Sequence, residues 1–207
     1  MRLFSIFLVL VLLMTGLSAA AWYPGVGAVR TMLLGYAESS DDDQIKIASA
    51  GSFNSTTHFL MRNTGVGSSL FLAQPDVPRN IIGTMNTSTT GSLKLTGTDF
   101  DGVAITENLT WAGETGIKAS TKAFKTVTRV DGTCTGVTAQ FKLGTGDLLG
   151  MRTTLATNTV IFCALNGTRE ATAPSVTVSS TVLSLNTIDT SSAPAGKATK
   201  IWYIAGT

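Results

Sequence analysis

Residues 91–111 read GSLKLTGTDFDGVAITENLTW, with alternating apolar and polar side chains on both sides of an Asp- and Gly-containing turn. Before the turn, Leu93 and Leu95 alternate with polar neighbours, and residues 103–111 alternate in the same way after it. A period of two is typical of a strand with one buried face, and two such runs joined by a turn ending in Gly indicate a β-hairpin. We therefore predict antiparallel β structure around this segment.

Short runs of the same kind occur along most of the chain. Asn166-Gly167 favours a two-residue hairpin turn, residues 144–150 (GTGDLLG) a tight turn, and residues 39–43 and 189–196 loops. No segment shows a helical period longer than about two turns. The sequence therefore predicts an all-β protein, an antiparallel β-sandwich or barrel. Further strands are predicted at residues 29–36, 123–130, 136–143, 157–165, 175–180, 182–188 and 197–204.

The composition excludes several classes of protein. Hydrophobic residues make up 43% and charged residues 14% of the chain, whereas a disordered chain has too few apolar residues to bury a core. The net charge is +2, with 15 Lys and Arg against 13 Asp and Glu. Nucleic-acid binding requires clustered positive charge on one face. We therefore expect no nucleic-acid partner.

Candidate catalytic residues are few. A Ser-His-Asp triad could use only His58, the single histidine, which lies in a strand-like context. Asp99, Asp101, Glu107 and Glu114 lie in or near one hairpin, and nothing in the sequence indicates a cleft that would raise the pKa of one of them. The Asp-x-Asp-Gly of the turn lacks the later ligands of a calcium loop. We predict no catalytic, cofactor or metal site, and a protein that is not an enzyme.

The two cysteines, Cys134 and Cys163, leave two interpretations open. In an oxidising compartment they could form one disulfide. In their apolar strand contexts they are also typical of small buried hydrophobic residues.

The N-terminus also has several interpretations. Arg2 precedes an apolar run from Leu3 to Met14 and then small residues up to Ala21, which is the pattern of a secretory signal peptide. Extended to Trp22, the run is long enough for a membrane anchor. A third interpretation is that translation begins at Met14. In all three the segment lies outside the folded core.

The sequence predicts that the chain is organised in four segments. Residues 1–21 form the signal-like or anchor segment, and residues 22–55 an N-terminal arm with the first strand. Residues 56–145 form a β-sandwich lobe, and residues 146–207 a second β lobe or edge strands. Residues 22–43 precede the series of alternating strands that begins near residue 59, so we consider them an arm that a neighbouring molecule could pair with.

An ordered set of phrases covers about two thirds of the chain. They are residues 74–80 (QPDVPRN), 91–99 (GSLKLTGTD), 104–107 (AITE), 121–128 (TKAFKTVT), 144–150, 156–160 (ATNTV) and 165–174 (LNGTREATAP). In this order they resemble structural proteins of tailed bacteriophages, in which an arginine after a proline precedes similar strands.

The resemblance implies a virion component, such as a capsid decoration (cement) protein or another head or tail surface protein. Its partner would be the major capsid protein or another virion protein, bound by a homo-oligomer. A membrane would be involved only if the N-terminal segment is retained. The main alternative is a secreted or membrane-anchored cell-surface β-sandwich that acts in adhesion, in a surface layer or in a filament. An extracellular hydrolase or carbohydrate-binding module is a third class, although Trp22, Trp111 and Trp202 are too scattered to indicate an aromatic platform.

Overall fold

The computed structural model describes residues 27–46, 52–53, 59–62, 73–135 and 139–205. Over these ranges the chain forms thirteen β-strands and one short 3-10 helix, Leu183–Leu185. The strands are Val29–Ala37 (β1), Asp41–Lys46 (β2), Ser52–Phe53 (β3), Phe59–Arg62 (β4), Arg79–Thr98 (β5), Ala104–Phe124 (β6), Thr126–Thr135 (β7), Ala139–Gly150 (β8), Val160–Leu165 (β9), Thr168–Arg169 (β10), Ser175–Thr177 (β11), Thr187–Asp189 (β12) and Lys197–Ile204 (β13). No helix in these ranges has the length and apolar character needed to cross a bilayer.

The described strands form two sheets in which neighbouring strands are antiparallel. The small sheet has four strands in the order β1-β13-β9-β10. The large sheet has nine strands along the path β11-β12-β8-β5-β7-β4, with β2 and β3 paired to β8 and β6 paired to β5. The expectation of an all-β, antiparallel sandwich or barrel is therefore confirmed, and the two sheets are consistent with a sandwich.

Strand β5 organises the large sheet because its two halves pair with different strands. Along one edge it pairs with β6 over nearly its whole length. Along the other edge its first half pairs with β8 and its second half with β7. The register between β5 and β6 shifts between Met85 and Thr90, and such irregularities bend a strand pair. At this bend the β5–β6 hairpin folds over, so that its two halves form two layers.

The two layers enclose the main apolar core. A Cβ at Gly83, in the first layer, would lie 3.0 Å from Leu109 Cδ1 and 3.2 Å from Trp111 Cη2, both in the second layer. Trp111 is fully buried, and its indole N–H donates to the carbonyl oxygen of Gly116 at 2.9 Å. The Trp111 indole therefore lies close to Gly83, where a larger residue would crowd it. The core residues are Ile81, Met85, Leu93, Leu95, Ile105, Leu109, Trp111, Phe124, Val127, Val130, Cys134, Phe141 and Leu143.

Glu107 connects the two halves of β6 where the layers meet. Its carboxylate accepts hydrogen bonds from the backbone N–H groups of Thr121 at 2.7 Å and Lys122 at 2.9 Å. The Thr121 hydroxyl donates to it as well, at 3.0 Å. Residues 107 and 121 belong to the same strand, so they meet because the hairpin is folded over. The carboxylate thus bridges the outer edge of β6, which pairs with no other strand among the described residues.

Strands β8 and β12 lie toward one end of the large sheet, and the small sheet packs against this end. A second apolar cluster fills this contact and draws on both sheets. Its buried members are Met32, Leu34, Ala37, Val77, Leu149, Met151, Leu155, Cys163, Ile188, Ile201 and Tyr203. We call this contact the sheet junction.

The buried side chain of Arg79 connects several chain segments at the sheet junction. The side chain of Arg79 has no exposed surface. Its Nε donates to the carbonyl oxygen of Gly146 in β8 at 2.7 Å, and Nη1 donates to the carbonyl oxygen of Glu38 after β1 at 3.0 Å. Nη1 also pairs with both carboxylate oxygens of Asp76 at 3.2 Å. Nη2 makes no hydrogen bond and lies 4.0 Å from Asp147 Oδ1.

Several predicted turns and strands are confirmed. The hairpin at residues 91–111 is the pairing of β5 with β6, which closes at Thr98 and Ala104. Asn166 and Gly167 both have positive φ, 49° and 82°, as a two-residue hairpin turn between β9 and β10 requires. The terminal strand Lys197–Ile204 has the predicted bounds.

Other predictions of local structure are wrong. The predicted acidic loop at residues 39–43 continues into β2, because Asp41 pairs with Thr145 of β8. The predicted turn at residues 144–150 is part of β8 itself. Gly146 is needed there for close packing, since a Cβ would lie 2.4 Å from Asn80 Oδ1.

Two predicted strands are interrupted. Residues 123–130 divide at Lys125, where β6 ends and β7 begins. Residues 182–188 contain the 3-10 helix, and pairing with β8 starts only at Thr187. The cause is Asn186, which is fully buried and bonded to the surrounding loop. Its Oδ1 accepts from the backbone N–H of Leu155 and Ser179, and its Nδ2 donates to the carbonyls of Ser179 and Val182.

The predicted boundary between residues 145 and 146 falls inside β8. Residues on both of its sides contribute strands to both sheets. Within the predicted arm, β1 pairs with β13 of its own chain along its whole length, and Met32, Leu34 and Ala37 are buried. This part of the arm therefore belongs to the fold. The segment 1–21 and Trp22 lie outside the described residues.

Candidate functional site

The carboxylates considered for catalysis have separate local roles. Asp99 is buried, and its Oδ1 accepts hydrogen bonds from the backbone N–H groups of Asp101 and Val103, both at 3.0 Å. It thereby stabilises the hairpin turn, as Asp side chains commonly do. Glu114 is half exposed and paired with Lys118, whose hydrogen bond lowers the pKa of Glu114.

The other two carboxylates also lie at separate places in the hairpin. Asp101 is exposed at the turn, and Glu107 bridges the edge of β6. Within the described residues no three His, Cys, Asp or Glu side chains are grouped as metal ligands. His58 lies outside the described residues.

The cysteines belong to different cores and form no disulfide. Cys134 lies between the two layers of the large sheet, and Cys163 lies at the sheet junction. Burial and the neighbouring Glu170 raise the pKa of the Cys163 thiol to about 12. The interpretation as buried hydrophobic residues is the one that the structure supports.

On the outward side of β6, β5 and β7, polar side chains are aligned across three strands. The cross-strand registers align Thr110 with Ser92 and Thr133, and Asn108 with Lys94 and Asp131. The same registers align Thr106, Thr96 and Arg129, while Thr90 lies opposite Thr135. We call this surface the polar face; its members are Thr90, Ser92, Lys94, Thr96, Thr106, Asn108, Thr110, Arg129, Asp131, Thr133 and Thr135.

Internal contacts hold parts of the polar face in place. The hydroxyls of Ser92 and Thr133 lie 3.0 Å apart and share a hydrogen bond. Arg129 donates from Nε to both oxygens of Asp131 at 2.8 Å, and this hydrogen bond raises the pKa of Arg129. A shallow depression of about 350 Å³ lies among Thr90, Thr110 and their neighbours. The face is therefore a pre-arranged set of short hydrogen-bonding groups.

The polar face presents mainly hydroxyl groups, with one side-chain amide and few charges. Thr and Ser are short side chains that lose little conformational entropy when a partner covers them. The charges on the face are one ion pair, Arg129 with Asp131, and Lys94. The sequence predicted hydroxyl-rich strands, but not which residues share a side. The period of two in residues 90–98 and 104–112, where alternate positions are polar, could have predicted which residues share this side.

Comparisons with known proteins add no identification. No protein-family model, no curated protein and no solved structure matches this chain.

Proposed function

We propose that the protein is a non-enzymatic structural component of a virion, which binds a capsid or tail lattice as a homo-oligomer and decorates or stabilises it. The observation that carries this proposal is the polar face. A three-stranded surface of hydroxyl and amide groups with little net charge suits repeated contact with identical neighbours, because it does not repel itself. The phage assignment itself rests on the sequence resemblance.

The test is incorporation into particles. Peptide mass spectrometry on gradient-purified particles from the native source should find the chain in a fixed ratio to the major capsid protein. A variant with Thr110→Lys places an extra charge in the middle of the polar face and should reduce incorporation at least tenfold. Thr172→Lys makes the same change at an exposed loop residue outside the face and should incorporate normally. Equal incorporation of both variants would refute the role of the polar face.

A second candidate is a secreted or membrane-anchored cell-surface β-sandwich. The apolar run from Leu3 to Met14 favours it, because virion proteins are ordinarily assembled in the cytoplasm. The same mass spectrometry distinguishes the two. Absence from particles, together with a mature N-terminus at Ala21 or Trp22 in a secreted fraction, would replace the virion proposal with this one. A start at Met14 in particles would remove the signal peptide.

A further inference from the structure

A groove lies between the end of β1, the segment before β5 and the turn of the β5–β6 hairpin. Its volume is about 570 Å³, which is in the range of ligand-binding clefts. Its walls are formed by Tyr36, Pro75, Asp76, Phe100, Lys125 and Arg152. We call it the junction groove. It shares no residue with the polar face.

Two cations lie against one aromatic ring in the junction groove. Lys125 Nζ is 5.0 Å and Arg152 Cζ is 4.9 Å from the centroid of the Phe100 ring. Each also donates to a backbone carbonyl at 3.3 Å: Lys125 Nζ to Phe100, and Arg152 Nη2 to Leu34. A lysine ammonium has three donors and a guanidinium has five. These contacts therefore fix both charged groups and leave donors available to a ligand.

The two cations have no acidic partner in the described structure. Every acidic residue of the chain except Asp42 and Asp43 has a described side chain, and none of those forms an ion pair with Lys125 or Arg152. Asp76 lines the groove, but its carboxylate pairs with Arg79. Among the described residues, the two positive charges of the groove therefore have no ion-pair partner of their own.

We propose that the junction groove binds an acidic side chain carried by an extended peptide segment of a partner protein. A carboxylate matches the planar guanidinium of Arg152, which can donate two parallel hydrogen bonds to it, while Lys125 adds a second charge. The Phe100 ring, Pro75 and Tyr36, which is 65% exposed, offer apolar contacts to the residues that flank the carboxylate. The volume is larger than a single small anion needs.

The geometry disfavours a nucleic acid as the occupant. Binding to a phosphate backbone depends on several Lys or Arg contacts along its length. The junction groove supplies only two cations among its described lining residues, fewer than such a series of contacts requires. One acidic side chain between apolar neighbours is the better match. This inference does not depend on whether the larger assembly is a virion or a cell surface.

The test is a titration of the full chain, ¹⁵N-labelled, followed by NMR. The probes are the acetylated and amidated peptide Pro-Ala-Glu-Ala-Pro, the same peptide with Gln for Glu, sodium acetate and sodium phosphate. We expect the Glu peptide to shift the amide signals of Phe100, Lys125 and Arg152 in a saturable way. We expect the Gln peptide to bind at least tenfold more weakly, and each of the two salts to bind more weakly than the Glu peptide.

Three variants sharpen this test. Arg152→Gln should weaken binding of the Glu peptide at least tenfold, and Lys125→Gln, on an exposed side chain, several-fold. Lys94→Gln removes the same charge from the polar face and should leave the affinity unchanged. The proposal is overturned by equal affinity for the Glu and Gln peptides, by absence of binding, or by unchanged affinity in Lys125→Gln. Phosphate or acetate binding as tightly as the peptide would also overturn it, because the site would then be one for a free anion.

Discussion

The core of the large sheet and the sheet junction are stabilised in different ways. Between the two layers of the large sheet, the buried cluster consists of apolar side chains that fill space around Trp111. At the sheet junction a similar apolar cluster is accompanied by buried polar residues, above all Arg79 and Asn186, both with 0% exposure. Close packing depends on volume, whereas buried polar groups depend on particular partners. The junction should therefore be the part of the fold that is sensitive to chemistry as well as size.

The largest effect should come from the core. Trp111→Ala removes the largest fully buried side chain among the described residues and should destabilise the protein by about 3–5 kcal/mol, because it leaves a cavity between the layers. Trp111→Phe keeps most of the apolar volume and should cost clearly less. Urea denaturation measures both. A loss below about 1 kcal/mol for Trp111→Ala would show that the layers do not depend on this packing.

Arg79→Met should be the most damaging change at the sheet junction. It keeps an apolar chain of similar length but leaves Asp76 and the carbonyls of Glu38 and Gly146 without their donor. Removing one partner of a buried ion pair costs about 3–5 kcal/mol, and we expect about 2–4 kcal/mol here because Asp76 retains 19% exposure. Urea denaturation of the single variants and the double variant with Asp76→Asn completes a double-mutant cycle. Strict additivity in that cycle would mean that the pair is not coupled.

The two regions also differ in how far the sequence predicts them. The β5–β6 hairpin follows from alternation within residues 91–111, and the turn after β9 follows from the dipeptide Asn166-Gly167, because both signals are local. Arg79 donates to the carbonyl oxygens of Glu38 and Gly146, which lie 41 and 67 positions away in the sequence. The periodicity of a sequence does not predict such distant contacts.

The same reason explains the errors in local structure. Residues 39–43 have the composition of a solvated loop, but pairing with β8 makes the chain a strand from Asp41 onward. The glycines of residues 144–150 indicate a turn, whereas Gly146 is there because Asn80 approaches it. The polar face could be predicted only in part. Its residue types were expected from composition, but its alignment across three strands depends on registers that only tertiary structure sets.

Asn186→Ala tests the polar loop at the junction. Two backbone N–H groups and three carbonyls would lose their hydrogen bonds to the Asn186 side chain, and we expect a loss of about 1–3 kcal/mol in the free energy of unfolding. Asn158→Ala is the matched control, since Asn158 is exposed and accepts one hydrogen bond from the N–H of Val160. It should cost less than about 1 kcal/mol. Similar losses in urea denaturation for the two variants would contradict the central role of Asn186.

The smallest effect should come from Asp189 in β12 and should depend on pH. Partial burial, followed by the negative charges of Asp147 and Glu170, raises the pKa of Asp189 in the folded protein. The folded state then binds this proton more tightly than the unfolded state does, so the ionised carboxylate destabilises the fold above its folded pKa. This penalty decreases as the pH falls through the raised pKa and is absent below the unfolded pKa, about 3.9.

Asp189→Asn should therefore stabilise the protein at pH 7 by less than about 1 kcal/mol, since solvent screens a partly exposed group. The gain over the native chain should vanish near pH 3, where Asp189 is neutral in both states. Urea denaturation of both proteins at the two pH values measures the difference, which cancels the titration of the other carboxylates. Asp101→Asn removes one negative charge at the exposed hairpin turn and should give no comparable gain at pH 7. An equal gain for Asp189→Asn at both pH values would show that packing of the amide, and not the charge at the sheet junction, is responsible.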